Sequence, residues 1–146
     1  MKKIYWVLII VVILIVLGTV VIIVYKKKAA YILINNRKIP VELALTESQR
    51  QKGLSSRDHL DADTGMLFIF PDSNIHSFWM KDTLIPLDVI WINDGKIVEM
   101  TTLDMQTEEN IPQYTPQNKA QYVLELNAGA INENNFQVGD KVEIKY

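Results

Sequence analysis

Hydrophobic residues fall into two different patterns along this chain. From Ile4 to Tyr25 there are 22 consecutive residues without a charge or a proline, most of them Ile, Val or Leu. A helix of this length measures roughly 33 Å at about 1.5 Å per residue, close to the ~30 Å hydrocarbon core of a bilayer. We therefore predict one transmembrane helix over about residues 4–25.

The residues around this apolar segment fit an uncleaved anchor. Lys2–Lys3 precede it and Lys26–Lys28 follow it, with Tyr5, Trp6 and Tyr25 at its ends, where aromatic rings favour the membrane interface. A cleaved signal peptide has a shorter apolar region and a small-residue cleavage site, and a buried core helix has a polar face. Lysines on both sides leave the orientation undecided by charge alone.

Beyond residue 28 the pattern changes to short apolar runs separated by turn residues. Such frequent short runs predict a mainly β domain, a β-sandwich or barrel-like fold with one or two short helices. We divide the chain into an anchor, residues 1–28, and a soluble domain, residues 29–146. The predicted strands are residues 31–34, 39–45, 66–70, 77–80, 87–92, 96–102, 121–126 and 141–144.

Turn and cap residues mark several element boundaries. Asn35-Asn36 and Asn93-Asp94-Gly95 predict tight turns. Thr46 and Gln49 form a capping-box pattern that starts a short helix, and Gly53 is a natural stop. Pro71 is expected to end its strand, and the polar residues 104–119 are expected to form a long exposed loop.

Charge and cysteine content narrow the function classes. Residues 29–146 carry ten basic and 17 acidic side chains, a formal charge of −7. An acidic domain without a basic stripe argues against nucleic acid as a partner. The chain has no cysteine, which removes disulfides, thiolate metal sites and cysteine catalysis.

Metal sites and activated nucleophiles are not indicated. Asp58, Asp61, Asp63 and Gly65 resemble the start of a calcium loop, but the spacing fails after Asp63. The only two histidines lack metal-ligand spacing to each other. We predict no metal and no cofactor.

Two acidic residues stand out because large apolar residues surround them in the sequence. Asp88 lies within Ile85–Trp91 and Glu125 within Tyr122–Leu126. A buried carboxyl group is costly unless it is paired. One interpretation is an arginine–carboxylate network that fixes the helix to the sheet; another is a polar cluster in a cleft rimmed by Trp79 and Trp91; a third is exposure on the outer side of a strand. The candidate binding or structural residues are Arg50, Arg57, Trp79, Lys81, Asp88 and Glu125.

Several motifs, taken in order, closely resemble the domain-of-unknown-function 192 family. They are Arg50-Gln-Lys-Gly53-Leu54, Arg57, Gly65-Met-Leu-Phe-Ile-Phe70, Phe78-Trp-Met-Lys-Asp-Thr-Leu-Ile-Pro-Leu-Asp-Val-Ile90, Val123-Leu-Glu-Leu126, Gly129 and Gly139-Asp140. The resemblance covers about residues 31–144. Ser55 and Asp82 depart from it, standing where the family often has Met and usually has Asn.

The resemblance implies a compact, mostly β domain that is commonly exported or tethered to a membrane in bacteria and archaea. It favours a cytoplasmic N-terminus with the domain outside, and it implies no established activity. We therefore expect a membrane-anchored accessory module of the cell envelope that binds a ligand or protein partner. One alternative is a hydrolase using Asp88 and Glu125 as paired carboxylates, and another is a purely structural scaffold with an exposed apolar patch.

Overall fold

The computed structural model describes residues 5–6, 9–16 and 30–146. Most of the predicted transmembrane segment, residues 4–25, lies outside the described residues. Of its described part, residues 9–16 are helical and exposed. Among the described residues, no helix is long and apolar enough to cross a membrane.

The described domain is mainly β, with two short helices, α1 (Glu47–Lys52) and α2 (Ala130–Glu133). Its strands are β1 (Tyr31–Ile34), β2 (Arg37–Ala44), β3 (Gly65–Asn74), β4 (Phe78–Trp79), β5 (Leu87–Asn93), β6 (Lys96–Leu103), β7 (Gln113–Tyr114), β8 (Ala120–Asn127) and β9 (Val142–Lys145). Seven of them form one sheet in the order β6-β5-β8-β3-β2-β1-β9, and β4 pairs with β7 in a separate ribbon.

The large sheet curls into a half-barrel. Its neighbouring strands are antiparallel except for β2 and β3, which run parallel and are joined through α1. The two ends of the sheet approach each other where Lys96 bridges Lys141, supported by the bond from the Val142 amide to the Gly95 carbonyl. The predicted mainly β, barrel-like domain with one or two short helices is confirmed.

The curled sheet separates two apolar cores. The inner core takes residues from both ends of the sheet, including Ile32, Ile97 and Val142, and therefore fills the inside of the curl. The outer core lies on the opposite face and includes Phe68 and Trp91. The outer core is covered by residues 53–60 and by the β4–β7 ribbon, so the central strands are buried on both faces.

Local sequence explains the tight turns and the first helix. Asn35 and Asn36 join β1 to β2 with φ of 49° and 70°, the left-handed region that Asn tolerates better than most residues. At the start of α1, the Thr46 side chain accepts from the Gln49 amide while the Gln49 side chain accepts from the Thr46 amide. The predicted turn and capping box are therefore confirmed.

Two predicted boundaries are wrong for identifiable reasons. β3 continues past Pro71 to Asn74. Pro71 has no amide N–H to donate, but the pairing of β3 with β8 is irregular between Ile69 and Asn74, so no regular ladder hydrogen bond is lost there. The segment 104–119 is not simply an exposed loop. It contains β7, and Glu99 accepts hydrogen bonds from the Tyr114 hydroxyl and from the backbone amides of residues 117 and 118.

Gly65 allows β3 and β8 to approach closely. A Cβ at this position would lie 2.7 Å from the carbonyl oxygen of Glu125 and 2.7 Å from a methyl group of Leu126. We predict that Gly65→Ala lowers the free energy of unfolding by about 2–3 kcal/mol, because a fixed backbone must shift to admit the methyl group. Denaturant unfolding of the two proteins measures this loss, and an unchanged midpoint would contradict the close approach.

Candidate functional site

Glu125 is a buried carboxyl group on the outer face of the sheet. It lies opposite Met66 on β3 and Val89 on β5, and only 6% of its surface is exposed. Its Oε2 atom has no hydrogen-bond partner. Burial raises the pKa of Glu125 to about 8, and the nearby positive charge of Arg57 offsets only part of the rise. The carboxyl group is therefore largely neutral at pH 7.

Arg50 contributes a second unpaired polar atom. Its Nη1 donates to the carbonyl oxygens of Leu45 at 2.6 Å and Ile69 at 2.9 Å, and its Nη2 donates to Glu47 at 3.0 Å. These bonds fix the guanidinium over the Phe70 ring, 5.2 Å from its centroid. The Nε–H, however, is buried and has no partner. Three buried side-chain polar atoms lack a partner in the described part of the chain, namely Arg50 Nε, Ser73 Oγ and Glu125 Oε2.

Trp79 and Lys81 stand at the entrance to this region. Trp79, on β4, is 56% exposed, and the Lys81 ammonium lies 5.4 Å from the centre of its ring. The turn after Lys81 is fixed by the Ser56 amide, which donates to the Asp82 carbonyl, and by Gln106, whose side chain accepts from the Asp82 amide. Asp82 has φ of 55°, a conformation that Asp and Asn share, which accounts for Asp standing where the family usually has Asn.

These four side chains line one small cavity. Arg50, Trp79, Lys81 and Glu125 are all in its wall, and its volume is about 40 Å³. We call this space the inner cavity. Beside it lies an outer groove of about 190 Å³, which shares Arg50, Gln51, Phe68, Phe78 and Trp79 with the inner cavity and adds Phe70. The two spaces together offer a polar interior with aromatic walls toward solvent.

Arg57 faces a neighbouring groove rather than the inner cavity. Both its terminal nitrogens bond the two oxygens of Glu42 at 2.7 Å, a bidentate pair. This pairing lowers the pKa of Glu42 and raises that of Arg57. The groove of about 270 Å³ also contains Asp58 and His59. Arg57 therefore affects Glu125 through its charge and not through a hydrogen bond.

Asp88 lies on the other side of the sheet. Along β5, Val89 and Trp91 belong to the outer core and Ile90 to the inner core. Because successive side chains of a strand point to opposite faces, Asp88 points to the inner core, as Ile90 does. Its oxygens accept from the Thr102 hydroxyl at 2.6 Å and from the Ile131 amide at 2.8 Å. The predicted arginine–carboxylate network is wrong for Asp88, because both its observed donors are uncharged.

The alternative of a paired-carboxylate hydrolase requires both acids in one cleft. Asp88 and Glu125 point to opposite faces of the sheet, separated by the backbone layer, so they do not share a cleft. The predicted rim is also partly wrong. Trp91 is fully buried and its indole Nε1–H donates to the His76 carbonyl at 2.8 Å, so only Trp79 borders the site.

Sequence comparison assigns the domain to a family. Residues 30–144 match the family DUF192, described as "Uncharacterized ACR". The chain belongs to the DUF192 family. This confirms the resemblance inferred from the motifs between Arg50 and Asp140.

Two proteins of the genus Thermococcus resemble this DUF192 domain. The chain is 32% identical over 107 residues to a UPF0127 protein of Thermococcus gammatolerans, and 30% identical over 107 residues to one of Thermococcus kodakarensis. The matches cover 70% of this chain and 64% and 62% of those proteins, so the chain spans less than two thirds of the length of either relative.

Two crystal structures share the fold of the DUF192 domain. One, from Sinorhizobium meliloti, is described as a "putative transcription regulator"; it has a TM-score of 0.69 and 34% identity and covers 79% of this chain and 91% of that chain. The other, a protein of unknown function from Novosphingobium aromaticivorans, has a TM-score of 0.68 and 27% identity and covers 79% of this chain and 83% of that chain.

The candidate residues predicted from the sequence form only part of the wall of the inner cavity. Gln51, Lys52, Phe68, Phe78 and Thr83 also line the inner cavity. Gln51 and Lys52 follow Arg50 in the first family motif, so the motif could have pointed to them. Phe68 and Phe78 look like ordinary core residues in the sequence, and only the fold brings them to the wall of the cavity.

Proposed function

We propose that this protein is a binding module whose ligand enters the inner cavity over Glu125. The observation that carries the proposal is the pair of buried, unpartnered polar atoms, Glu125 Oε2 and Arg50 Nε, on residues that line one cavity. Leaving buried polar atoms unpaired costs free energy, about 1–3 kcal/mol each, so such atoms usually meet a ligand or an ordered water. A ligand group that satisfies both would recover that cost on binding.

A screen of the full-length protein tests this proposal directly. Its melting temperature is measured in detergent with small acids, neutral amides, saccharides, cell-wall fragments and divalent cations. A ligand that binds only the folded state raises the melting temperature. At a hundredfold excess over its dissociation constant, it raises the free energy of unfolding by about 2.7 kcal/mol.

Substitutions at the entrance locate the binding site. We expect Trp79→Ala and Lys81→Gln to lower the affinity of a hit at least tenfold, because the first removes a wall of the entrance and the second removes its ammonium group. Tyr146→Ala is the matched control, since Tyr146 is also an exposed aromatic residue, at 68% exposure, and does not line the cavity. A hit that all three variants bind equally, or a screen without a hit, would count against the proposed site.

We also propose that residues 4–25 anchor the domain in a membrane, with the N-terminus in the cytoplasm and the domain outside. The support is the length of the uncharged segment and its lysine and aromatic flanks. The ligand would then be met in the cell envelope.

Fractionation of a bacterial host that expresses the full chain with a C-terminal tag tests the anchor. We expect the protein to remain in membranes washed with carbonate, and the tag to be digested when protease is added outside spheroplasts. A variant lacking residues 4–25 should leave the membrane fraction. Extraction of the intact chain by carbonate would refute the anchor, and a protected tag would reverse the orientation.

A structural scaffold remains the second candidate function, favoured by exposed apolar side chains near the β4–β7 ribbon. Leu84, Met105 and Ile111 are each about half exposed and lie on segments that hydrogen-bond to one another. Crosslinking in membranes that depends on these three residues but not on Trp79 would favour it.

Duplex DNA is a poor partner for a domain of charge −7, whatever the description of the Sinorhizobium protein.

A further inference from the structure

We propose that the ligand of the inner cavity is a small organic acid, bound by its carboxylate with its apolar part in the outer groove. This inference rests on the proposed function and names the chemical class of the ligand. It follows from the hydrogen-bonding character, the size and the walls of the two spaces.

Three polar groups of the site are available to donate hydrogen bonds. Arg50 presents an unpaired Nε–H, and Lys81 presents an ammonium group that forms no ion pair with a described residue. Burial keeps the Glu125 carboxyl protonated at neutral pH, so its unpaired oxygen end also offers an O–H donor. A site of donors with a net positive charge selects a ligand group that is rich in acceptors and negatively charged.

The dimensions favour a carboxylate over larger anions. The inner cavity of about 40 Å³ has room for a group of a few heavy atoms. The outer groove is walled by Phe68, Phe70, Phe78 and Trp79, and these rings suit an acyl chain or an aromatic ring. Glu47, the acidic residue of that groove, is already paired with Arg50 and lies at the surface.

The position of Glu125 makes binding depend on its proton. When Glu125 ionises, two negative charges would share one small buried site, which is unfavourable. The cations that line its cavity are Arg50, Lys52 and Lys81, and Arg57 acts through space. Glu47 and Glu42 offset part of the charge of Arg50 and Arg57, so Lys52 and Lys81 are the cations without an ion pair among the described residues that favour an anion. Affinity should therefore fall about tenfold between pH 7 and pH 9, in proportion to the protonated fraction of Glu125.

Calorimetric titration of the full-length protein in detergent tests the inference. The ligands are acetate, butyrate and phenylacetate, each compared with the amide of the same acid, and phenylphosphonate as a larger anion. We expect butyrate and phenylacetate to bind at least tenfold more tightly than their amides and than phenylphosphonate. Equal binding of acids and amides, or tighter binding of the phosphonate, would overturn the carboxylate assignment.

Variants separate the role of Glu125 from the fold. Glu125→Gln keeps an uncharged hydrogen-bonding group, so it should bind phenylacetate with an affinity that does not fall between pH 7 and pH 9. Glu125→Leu should lose binding, whereas Glu143→Gln, on the exposed end of β9, should keep both the affinity and its pH dependence. A Glu125→Gln profile identical to that of the unmodified protein would overturn the proton dependence.

The outcomes also separate this inference from the proposed function. Tight binding of amides or saccharides that Trp79→Ala abolishes would overturn the ligand class and leave the binding module standing. Failure of every compound in the wider melting screen would overturn both.

Discussion

Replacing Asp88 by alanine is expected to lower the free energy of unfolding by about 2–4 kcal/mol. The residue is completely buried and joins three parts of the fold, because β5 carries it, Thr102 of β6 donates to one oxygen and the Ile131 amide of α2 donates to the other. The substitution removes both bonds and leaves the Ile131 amide without its acceptor. Denaturant unfolding monitored by fluorescence measures the loss.

A double-mutant cycle separates the hydrogen bonds from the loss of volume. Thr102→Val removes only the hydroxyl donor and should cost about 1 kcal/mol. Because the two side chains touch, the costs of Asp88→Ala and Thr102→Val should fall short of additivity by about 0.5–1 kcal/mol in the double variant. Faster hydrogen exchange of the Ile131 amide in Asp88→Ala is the local signature. Full additivity together with unchanged exchange would contradict the role given to Asp88.

The elements that the sequence predicts well are those that local chemistry determines. Asn35-Asn36 and Asp94-Gly95 form turns because these residues tolerate positive φ, and Thr46 with Gln49 caps α1 through bonds that span only three residues. The family motifs likewise pointed to Arg50, Trp79, Lys81 and Glu125, which the fold brings to one cavity.

The relation between Asp88 and Glu125 could not be predicted from the sequence. β5 and β8 are buried on both faces, so each appears as a continuous apolar run without the alternation that would indicate which side chains share a face. The register that pairs Val89 with Glu125 decides the matter, and strand pairing between distant segments leaves no local mark. For the same reason, the sequence does not indicate that Phe68 and Phe78 form walls of the inner cavity.

The second large expected effect concerns Glu125 and the pH dependence of stability. Its pKa is about 8 in the folded protein and close to 4.5, the ordinary value of a glutamate side chain, when the chain is unfolded, so the folded state holds an extra proton between these pH values. Stability that is fully present below pH 4.5 is therefore lost progressively as pH rises to about 8.

Glu125→Gln replaces the carboxyl group by a neutral amide that does not titrate in this range. The unmodified protein loses stability between pH 5 and pH 8 and the variant does not, so the variant should gain about 3–4 kcal/mol relative to it over this range. Unfolding of both proteins by urea at several pH values measures the difference, in which groups common to both proteins, such as His59, cancel. Glu143→Gln is the control, because it makes the same substitution on an exposed side chain that does not line the inner cavity. Parallel curves for Glu125→Gln and the unmodified protein would mean that the carboxyl group is ionised in the folded state. The inner cavity would then be an anionic site, which would select a cation or a hydrogen-bond donor instead of an acid.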